Sequence, residues 1–344
     1  KLPQALIMNS QLKNLNSKQI NSSLNPEEIN EAMELIMTGK ASDIEIASFL
    51  TALQMRGINS DHLKTAINVM IPKMVPVETE FDCMDTCGTG GDGKFSLNIS
   101  TATAFVLAAH GIKIAKHGNR ALSSKCGSAD VLASLGVNVD MQVDKISKCI
   151  DEVGICFMFA PNHHPAMKNV GPVRQELGFR TIFNMLGPLL NPAKVKKQVV
   201  GVYSKEVYKI YCEYFKNKKD AQVTIVHGCN GMDEVSTEGE NLIYSSNYGE
   251  VLFDPIKIGI KRPIQKELAG NDKDYNALRI RELFGGNKDS FYDIVCINAA
   301  LGILLFEDTN LTNENIKIAF DKCAKIIDDG LPLKILDNLV KYSN

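Results

Sequence analysis

DTCGTGGDGKFSLNISTATAFVLAAHGIKIAKHGNRALSSKCGS, residues 85–128, holds two glycine- and hydroxyl-rich loops separated by one short helix-and-strand step. The first, Gly88-Thr89-Gly90-Gly91-Asp92-Gly93, has four glycines in six residues and follows a short β-like run. Glycine permits positive φ and lets bare N–H groups approach an anion closely. Asn98-Ile99-Ser100-Thr101 then opens an apolar helical stretch, which puts Ser100 and Thr101 at a helix N-terminus where free N–H groups and the dipole attract phosphate. The second loop, from Lys116-His117-Gly118-Asn119-Arg120 to Ser123-Ser124, adds two cations and two hydroxyls. Two such cradles this close together suit both ends of a doubly phosphorylated ligand. Alone, the first loop serves equally well as a tight strand-to-helix turn. It lacks the GK[ST] ending of a P-loop, and no GxGxxG opens a helix followed by a ribose-binding acid at the usual distance.

Composition narrows the class. The chain has 344 residues, enough for two domains and a large core. Its 40 acidic and 38 basic residues nearly cancel, leaving no electrostatic footprint for nucleic acid or an anionic membrane. The longest apolar run, 294–306, is only 13 residues and is interrupted by Asn298, which suits a buried helix rather than a span. The start, KLPQALIMNSQ, has no signal-peptide architecture. Nine cysteines without CxxC spacing read as free thiols in a reducing cytoplasm.

Outward from the opening segment, the organisation is α/β plus all-α. Residues 9–25 form a loose lead-in or a weakly amphipathic helix. Asn25-Pro26-Glu27-Glu28 reads as N-cap, first-turn proline and first-turn acids, with Ile29, Met33 and Ile36 on one face. Ser42 and Glu45 make a capping box for a helix bearing Ile46, Phe49, Leu50 and Leu53, and Ser60 begins a third with Leu63, Ala66, Ile67 and Met70. A small helical domain is therefore expected over 1–72. Beyond it, over 73–344, short apolar runs at 112–115, 156–160, 199–202 and 223–226 alternate with helices such as 205–215. This pattern predicts a mainly parallel sheet flanked by helices, with ligands beyond the carboxyl ends of its strands.

Several further motifs carry a family likeness. Cys87-GTGGDG, NIST, KHGNR-x-x-SS, Gly127-Ser128-Ala129-Asp130, the run HHPAMKNVGPVRQELGFRTIFNMLGPLLNP at 163–192, and His227-Gly228 followed by Gly231-Met232-Asp233-Glu234-Val235-Ser236 resemble the anthranilate phosphoribosyltransferase family. The likeness runs in register from about residue 25 to the C-terminal helix. Pyrimidine nucleoside phosphorylases share fragments such as KHGNR but not the long HHPAMK…LGPLLNP block. The resemblance implies that 165–192 completes the helical domain and that a substrate cleft lies between domains. It also implies transfer of the phosphoribosyl group of phosphoribosyl pyrophosphate (PRPP) to the amine of anthranilate, a step of tryptophan biosynthesis. Helical-domain closure over the substrates and a homodimer formed through that domain are further implications.

Residue by residue, the resemblance assigns PRPP to Gly88, Gly91, Asp92, Ser96, Asn98, Ile99, Ser100, Thr101, Lys116, His117, Gly118, Asn119, Arg120, Ala121, Leu122, Ser123, Ser124 and Ser128. Ser96 stands where the family has threonine. Lys116 is expected to meet the pyrophosphate, and Asp92 to orient the glycine loop or the ribose hydroxyls. Asp233-Glu234 by itself reads as a solvated acidic turn; the resemblance makes both acids ligands of magnesium, with Ser100 offering a hydroxyl to the second of two ions. Gly88, Asn119 and Arg174 are expected at anthranilate, since a guanidinium fork matches a carboxylate. An ion pair of Arg174 with Glu176 is the alternative. His117 and His163-His164 lack the ligand spacing of a zinc site. No general base is assigned, because the arylamine is neutral at pH 7 and can attack before losing its proton. Two rival classes are a nucleoside phosphorylase and a nucleic-acid-binding relative without transferase activity; the near-neutral charge and the Asp233-Glu234 pair argue against the second.

Overall fold

The computed structural model describes residues 10–121 and 125–344. Its residues divide into two compact units, one running up to Val75 and including Pro161–Leu190, the other comprising Pro76–Ala160 and Asn191–Asn344.

The first unit is helical because its sequence supplies start signals at regular intervals. The Ser10–Asn21 helix leads in, followed by Pro26–Met37, Asp43–Arg56 and Ser60–Met70. Reciprocal capping boxes pair Asn25 with Glu28, Ser42 with Glu45 and Asn59 with His62, each satisfying backbone N–H groups that would otherwise be orphaned. Each cap is worth about 1 kcal/mol. Ile29, Met33, Ile36, Phe49, Leu50 and Leu63 form the buried stripes of these helices. The 161–190 stretch contributes the short helices Gly171–Leu177 and Phe183–Leu186. Its Asn169 donates to the carbonyl of Met37, which ties the returning chain to the end of the second long helix.

The second unit is built on one sheet of β1 (Met84–Gly88), β2 (Ile114–Gly118), β3 (Ile155–Phe159), β4 (Lys197–Gly201), β5 (Gln222–His227), β6 (Asn241–Ser245) and β7 (Gly249–Phe253). The strand order is β3-β2-β1-β4-β5-β6-β7. The first five strands in that order are parallel, and β6 and β7 extend the sheet as an antiparallel hairpin. The hairpin has no counterpart in the sequence-based expectation, because its half-exposed strands lack the continuous apolar runs of the central ones. The strand expected at 112–115 instead occupies Ile114–Gly118. Lys116, His117 and Gly118 are therefore strand residues, not loop residues.

The order reverses around β1, placing β2 on one side and β4 on the other. Crevices for ligands form beyond the carboxyl ends of strands at such a switch point. The apolar Ser290–Phe306 helix is buried nearly from end to end and packs against the Ile99–Ala109 and Asn313–Asp328 helices and against β4 and β5. Phe105 and Phe284 meet edge to face at 5.6 Å in this core. All nine cysteines are free. Among the described residues no helix is long and apolar enough to cross a membrane.

Candidate active site

β1 ends at Gly88, and the chain then enters the glycine loop with φ of 68° at Gly90, 74° at Gly91 and 74° at Gly93. These are conformations an L side chain adopts only with strain. Phe95 closes the loop at φ 49°, held there by short backbone bonds: the Gly270 N–H donates to its carbonyl at 2.7 Å, and Leu97 N–H donates to the Leu268 carbonyl at 3.0 Å. Ser96 pairs with Ala269 in an isolated antiparallel bridge.

The loop is aimed by a carboxylate distant in sequence. Asp233 Oδ2 accepts the Gly90 N–H at 2.7 Å, and Thr89 N–H donates to the Gly201 carbonyl at 2.9 Å. A Cβ on Gly88 would lie 2.1 Å from Asp233 Oδ2, so only glycine fits there without moving that carboxylate. Asp233 and Glu234 follow β5 through a turn in which Asn230 (φ 61°) and Gly231 (φ 83°) are left-handed.

Carboxylate oxygens of Asp92, Asp233 and Glu234 all lie within 4.8 Å of one another. Burial raises the pKa of Asp233 to about 6, with the negative charge of Asp92 adding to the effect. Glu234 is pushed well above its usual range by burial, then by Asp233 and Asp92. Oδ2 of Asp92 and Oε2 of Glu234 are buried without a hydrogen-bond partner. Three mutually repelling carboxylates, two of them with an unpartnered oxygen, are an all-oxygen donor set suited to a hard divalent cation such as magnesium. A cavity of about 20 Å³ lies alongside, lined by Ser100, Thr103, Asp233, Glu234 and Asn298 among others. Asp92 groups with the two acids and also holds the loop, as expected from sequence, its Oδ1 accepting the Lys94 N–H at 3.0 Å.

The Ile99–Ala109 helix begins beside this cluster. Its N-cap, Asn98, makes no side-chain cap; its amide donates to the Cys126 carbonyl at 3.3 Å and accepts from Asn276 at 2.9 Å. The helix N-terminus is thus left without the usual side-chain oxygen, which suits an exogenous anion. Thr86 Oγ1 donates to the Ser100 carbonyl at 3.0 Å and fixes the first turn against β1. Thr101 is buried, its hydroxyl unpartnered.

Lys116 lies within β2. It is 2% exposed and its Nζ donates to the Thr86 carbonyl at 2.6 Å. Burial lowers its pKa, while the negative charges of Asp85 and Glu234 act in the opposite direction. Fully buried Asp85 has its pKa raised by burial; Lys116, the Asn191 amide at 2.8 Å and the His117 N–H oppose the rise. In the described structure Lys116 is an internal countercharge to Asp85.

After β2, Asn119 accepts the Arg120 N–H on its side chain at 2.7 Å, and its carbonyl accepts the Ser128 hydroxyl at 3.2 Å. Asp130 gathers this turn: it accepts the N–H groups of Ala121 (2.9 Å) and Gly127 (3.0 Å) and pairs with Arg120 at 3.1 Å. Burial alone would raise its pKa, but these donors hold it below the usual value. Leu122, Ser123 and Ser124 lie outside the described residues.

In the helical unit, the Arg174 guanidinium sits 5.6 Å from the Phe183 ring centre, and burial lowers its pKa with no acid compensating. Among the described residues Arg174 makes no ion pair with Glu176. His163 Nδ1 lies 2.9 Å from the Val75 carbonyl. Burial, reinforced by His163, lowers the His164 pKa to about 4, so the ring is neutral at pH 7 and serves the packing.

Sequence reasoning missed Asp85, Asn191, Thr103, Asn241 and Asn298. Only Asn298 carried a signal, as the polar interruption of an apolar helix.

Residues 13–74 match the helical bundle domain of the glycosyl transferase family, and residues 80–331 match that family's a/b domain. Anthranilate phosphoribosyltransferase of Mesorhizobium japonicum is 44% identical over 326 residues, covering 94% of this chain and 96% of the relative. That of Desulforamulus reducens is 42% identical, covering 93% of each. Among solved structures, anthranilate phosphoribosyltransferase from Thermus thermophilus superposes with a TM-score of 0.88 at 35% identity, covering 95% of this chain and 98% of that one. The Saccharomyces cerevisiae enzyme in complex with PRPP and Mg gives 0.89 at 26% identity, covering 97% and 98%. The chain therefore belongs to the glycosyl transferase family defined by these two domains and, within it, to the anthranilate phosphoribosyltransferases.

Proposed function

We propose that this chain transfers the 5-phosphoribosyl group of PRPP to the amine of anthranilate. In this step the N–C1 bond forms, the bond from C1 to the pyrophosphate oxygen breaks, and the amine proton leaves to solvent. The observation that carries the reading is the cluster of Asp92, Asp233 and Glu234 beside a side-chain-uncapped helix N-terminus. A doubly phosphorylated, magnesium-bound donor needs a cation-holding carboxylate set and an anion cradle at one place.

In this reading Asp233 and Glu234 hold magnesium, with Asp92 beside them and Ser100 offering a hydroxyl to a second ion. When bound, magnesium supplies positive charge against the charge that grows on the departing pyrophosphate. The glycine loop (Gly88, Gly91, Asp92, Ser96) and the helix start (Asn98, Ile99, Ser100, Thr101) orient the sugar and its phosphates through N–H groups and hydroxyls. The β2 end and its turn (His117, Gly118, Asn119, Arg120, Ala121, Ser128) line the donor, with Leu122, Ser123 and Ser124 carried from sequence alone. Lys116 supplies positive charge for the pyrophosphate. Arg174 is the residue assigned to the acceptor's carboxylate, and Asn119 and Gly88 are assigned to the acceptor on the same family likeness. Because the transition state is oxocarbenium-like, orientation and fixed charge supply most of the acceleration. No residue is assigned as a base. A homodimer through the helical unit and a cytoplasmic location belong to the proposal.

The test follows the loss of anthranilate fluorescence with PRPP and magnesium. Loss that requires all three components supports the reading. No loss with abundant enzyme, or phosphorolysis of a nucleoside in its place, refutes it.

A further inference from the structure

The Asp233–Glu234 segment lies between β5 and β6 with no regular secondary structure, yet its position has to be fixed to fractions of an ångström if it is to hold a metal. Two buried asparagines provide that fixing. Asn298 projects from the middle of the apolar Ser290–Phe306 helix and is 5% exposed. Its Oδ1 accepts the Val235 N–H at 2.9 Å, and its Nδ2 donates to the Val235 carbonyl at 3.1 Å and to the Ile294 carbonyl of its own helix at 2.8 Å. One amide thus clasps both main-chain groups of the residue directly after Glu234, while its bond to Ile294 locks its own rotamer. Asn241, at the start of β6 and fully buried, does the same one residue on. It accepts the Ser236 N–H at 2.8 Å and the Cys229 N–H at 3.2 Å, and donates to the Ser236 carbonyl at 2.9 Å.

An asparagine inside a helix costs propensity and, inside a core, desolvation. Here every donor and acceptor of the Asn298 side chain is used, and the same residue lines the cavity beside Asp233 and Glu234. We propose that Asn298, seconded by Asn241, is a positioning residue for the cation-holding carboxylates. It substitutes a side-chain amide for the strand neighbour that the 233–236 segment lacks. The proposal rests on the metal role given to Asp233 and Glu234 above.

The test compares Asn298→Leu, similar in volume but unable to hydrogen-bond, with Leu301→Ala on the same helix. Binding of Mn²⁺ in the presence of PRPP is read from the free-ion electron paramagnetic resonance signal, alongside magnesium titration of activity. Loss of partners in the second layer of a metal site commonly costs about 10- to 100-fold in affinity, and a weakening of that order is expected for Asn298→Leu, with the anthranilate KM unchanged at saturating magnesium. Leu301→Ala is expected to lower stability and leave Mn²⁺ binding as in the wild type. Wild-type Mn²⁺ affinity in Asn298→Leu, or equal weakening in Leu301→Ala, overturns the proposal. If Asn298→Leu does not fold, Asn298→Ser carries the same comparison. Wild-type protein that binds no Mn²⁺ at all refutes the metal reading instead. The clasp is then judged by hydrogen exchange at the Val235 amide, which must quicken in the variant for the clasp to stand.

Discussion

Gly88→Ala is the substitution whose consequence the structure defines most sharply. The added methyl carbon would lie 2.1 Å from Asp233 Oδ2 and 2.8 Å from its Cγ, while the nearest main-chain atom of Asp233 is 3.4 Å away. The strain therefore falls on a side chain that can rotate, not on the backbone. Rotation removes the 2.7 Å bond from the Gly90 N–H and turns the carboxylate away from Asp92 and Glu234. A hydrogen bond to a charged group contributes about 1.5–3 kcal/mol. If that loss falls on the cation-bound state, apparent magnesium affinity drops by roughly 10- to 150-fold. The assay is activity against magnesium at fixed PRPP, paired with denaturant unfolding. Gly187→Ala is the control, since nothing lies within 4 Å of its added carbon and its φ of −49° is helical. Gly201→Ala gives the opposite limit: there the methyl carbon would fall 1.4 Å from the Asp233 carbonyl oxygen, so main chain must move and loss of fold is expected. An unchanged magnesium titration in folded Gly88→Ala refutes the reasoning.

Arg174→Ala is expected to raise the anthranilate KM by about 10- to 100-fold, the loss of a charged hydrogen-bonded pair, with PRPP affinity nearly unaffected; equal damage to both substrates counts against the assignment. Lys116→Met removes a cation that opposes burial at Asp85 and Glu234, and is expected to lower stability by about 1–3 kcal/mol, with Asp85→Asn recovering part of it in the double variant. Additive losses in that cycle would show that the two charges are uncoupled. For His164 the folded pKa of about 4 lies below the ordinary 6.5, so the unfolded chain binds the extra proton first. Its contribution is present above pH 6.5 and fades as pH falls toward 4, amounting to about 3 kcal/mol at 1.36 kcal/mol per pH unit. Unfolding free energies at pH 7, 5.5 and 4.5 should show this slope, and His164→Gln should flatten it; an equal slope in the variant contradicts the burial argument.

Local chemistry was legible from the amino-acid order alone. Caps, first-turn acids and helical stripes placed the three helices after residue 25, because each signal acts within one turn and needs no distant partner. The same holds for the glycine loop, whose positive φ values follow from residue type, and for the apolar runs of the parallel strands. The β6–β7 hairpin escaped detection because partial exposure dilutes its pattern. What the tertiary structure decided is which charges meet. Lys116, expected at the pyrophosphate from its place in KHGNR, is buried where its charge also acts on Asp85. Asp92 joins Asp233 and Glu234, and Asn241 and Asn298 hold the segment that carries two of those acids. Coulomb and hydrogen-bond energies depend on distance in space, and separation along the chain does not encode that distance. The residue types needed for anion and cation binding were readable in the sequence, whereas their grouping into one site depends on the sheet that brings the carboxyl ends of β1 and β5 into register beside β4.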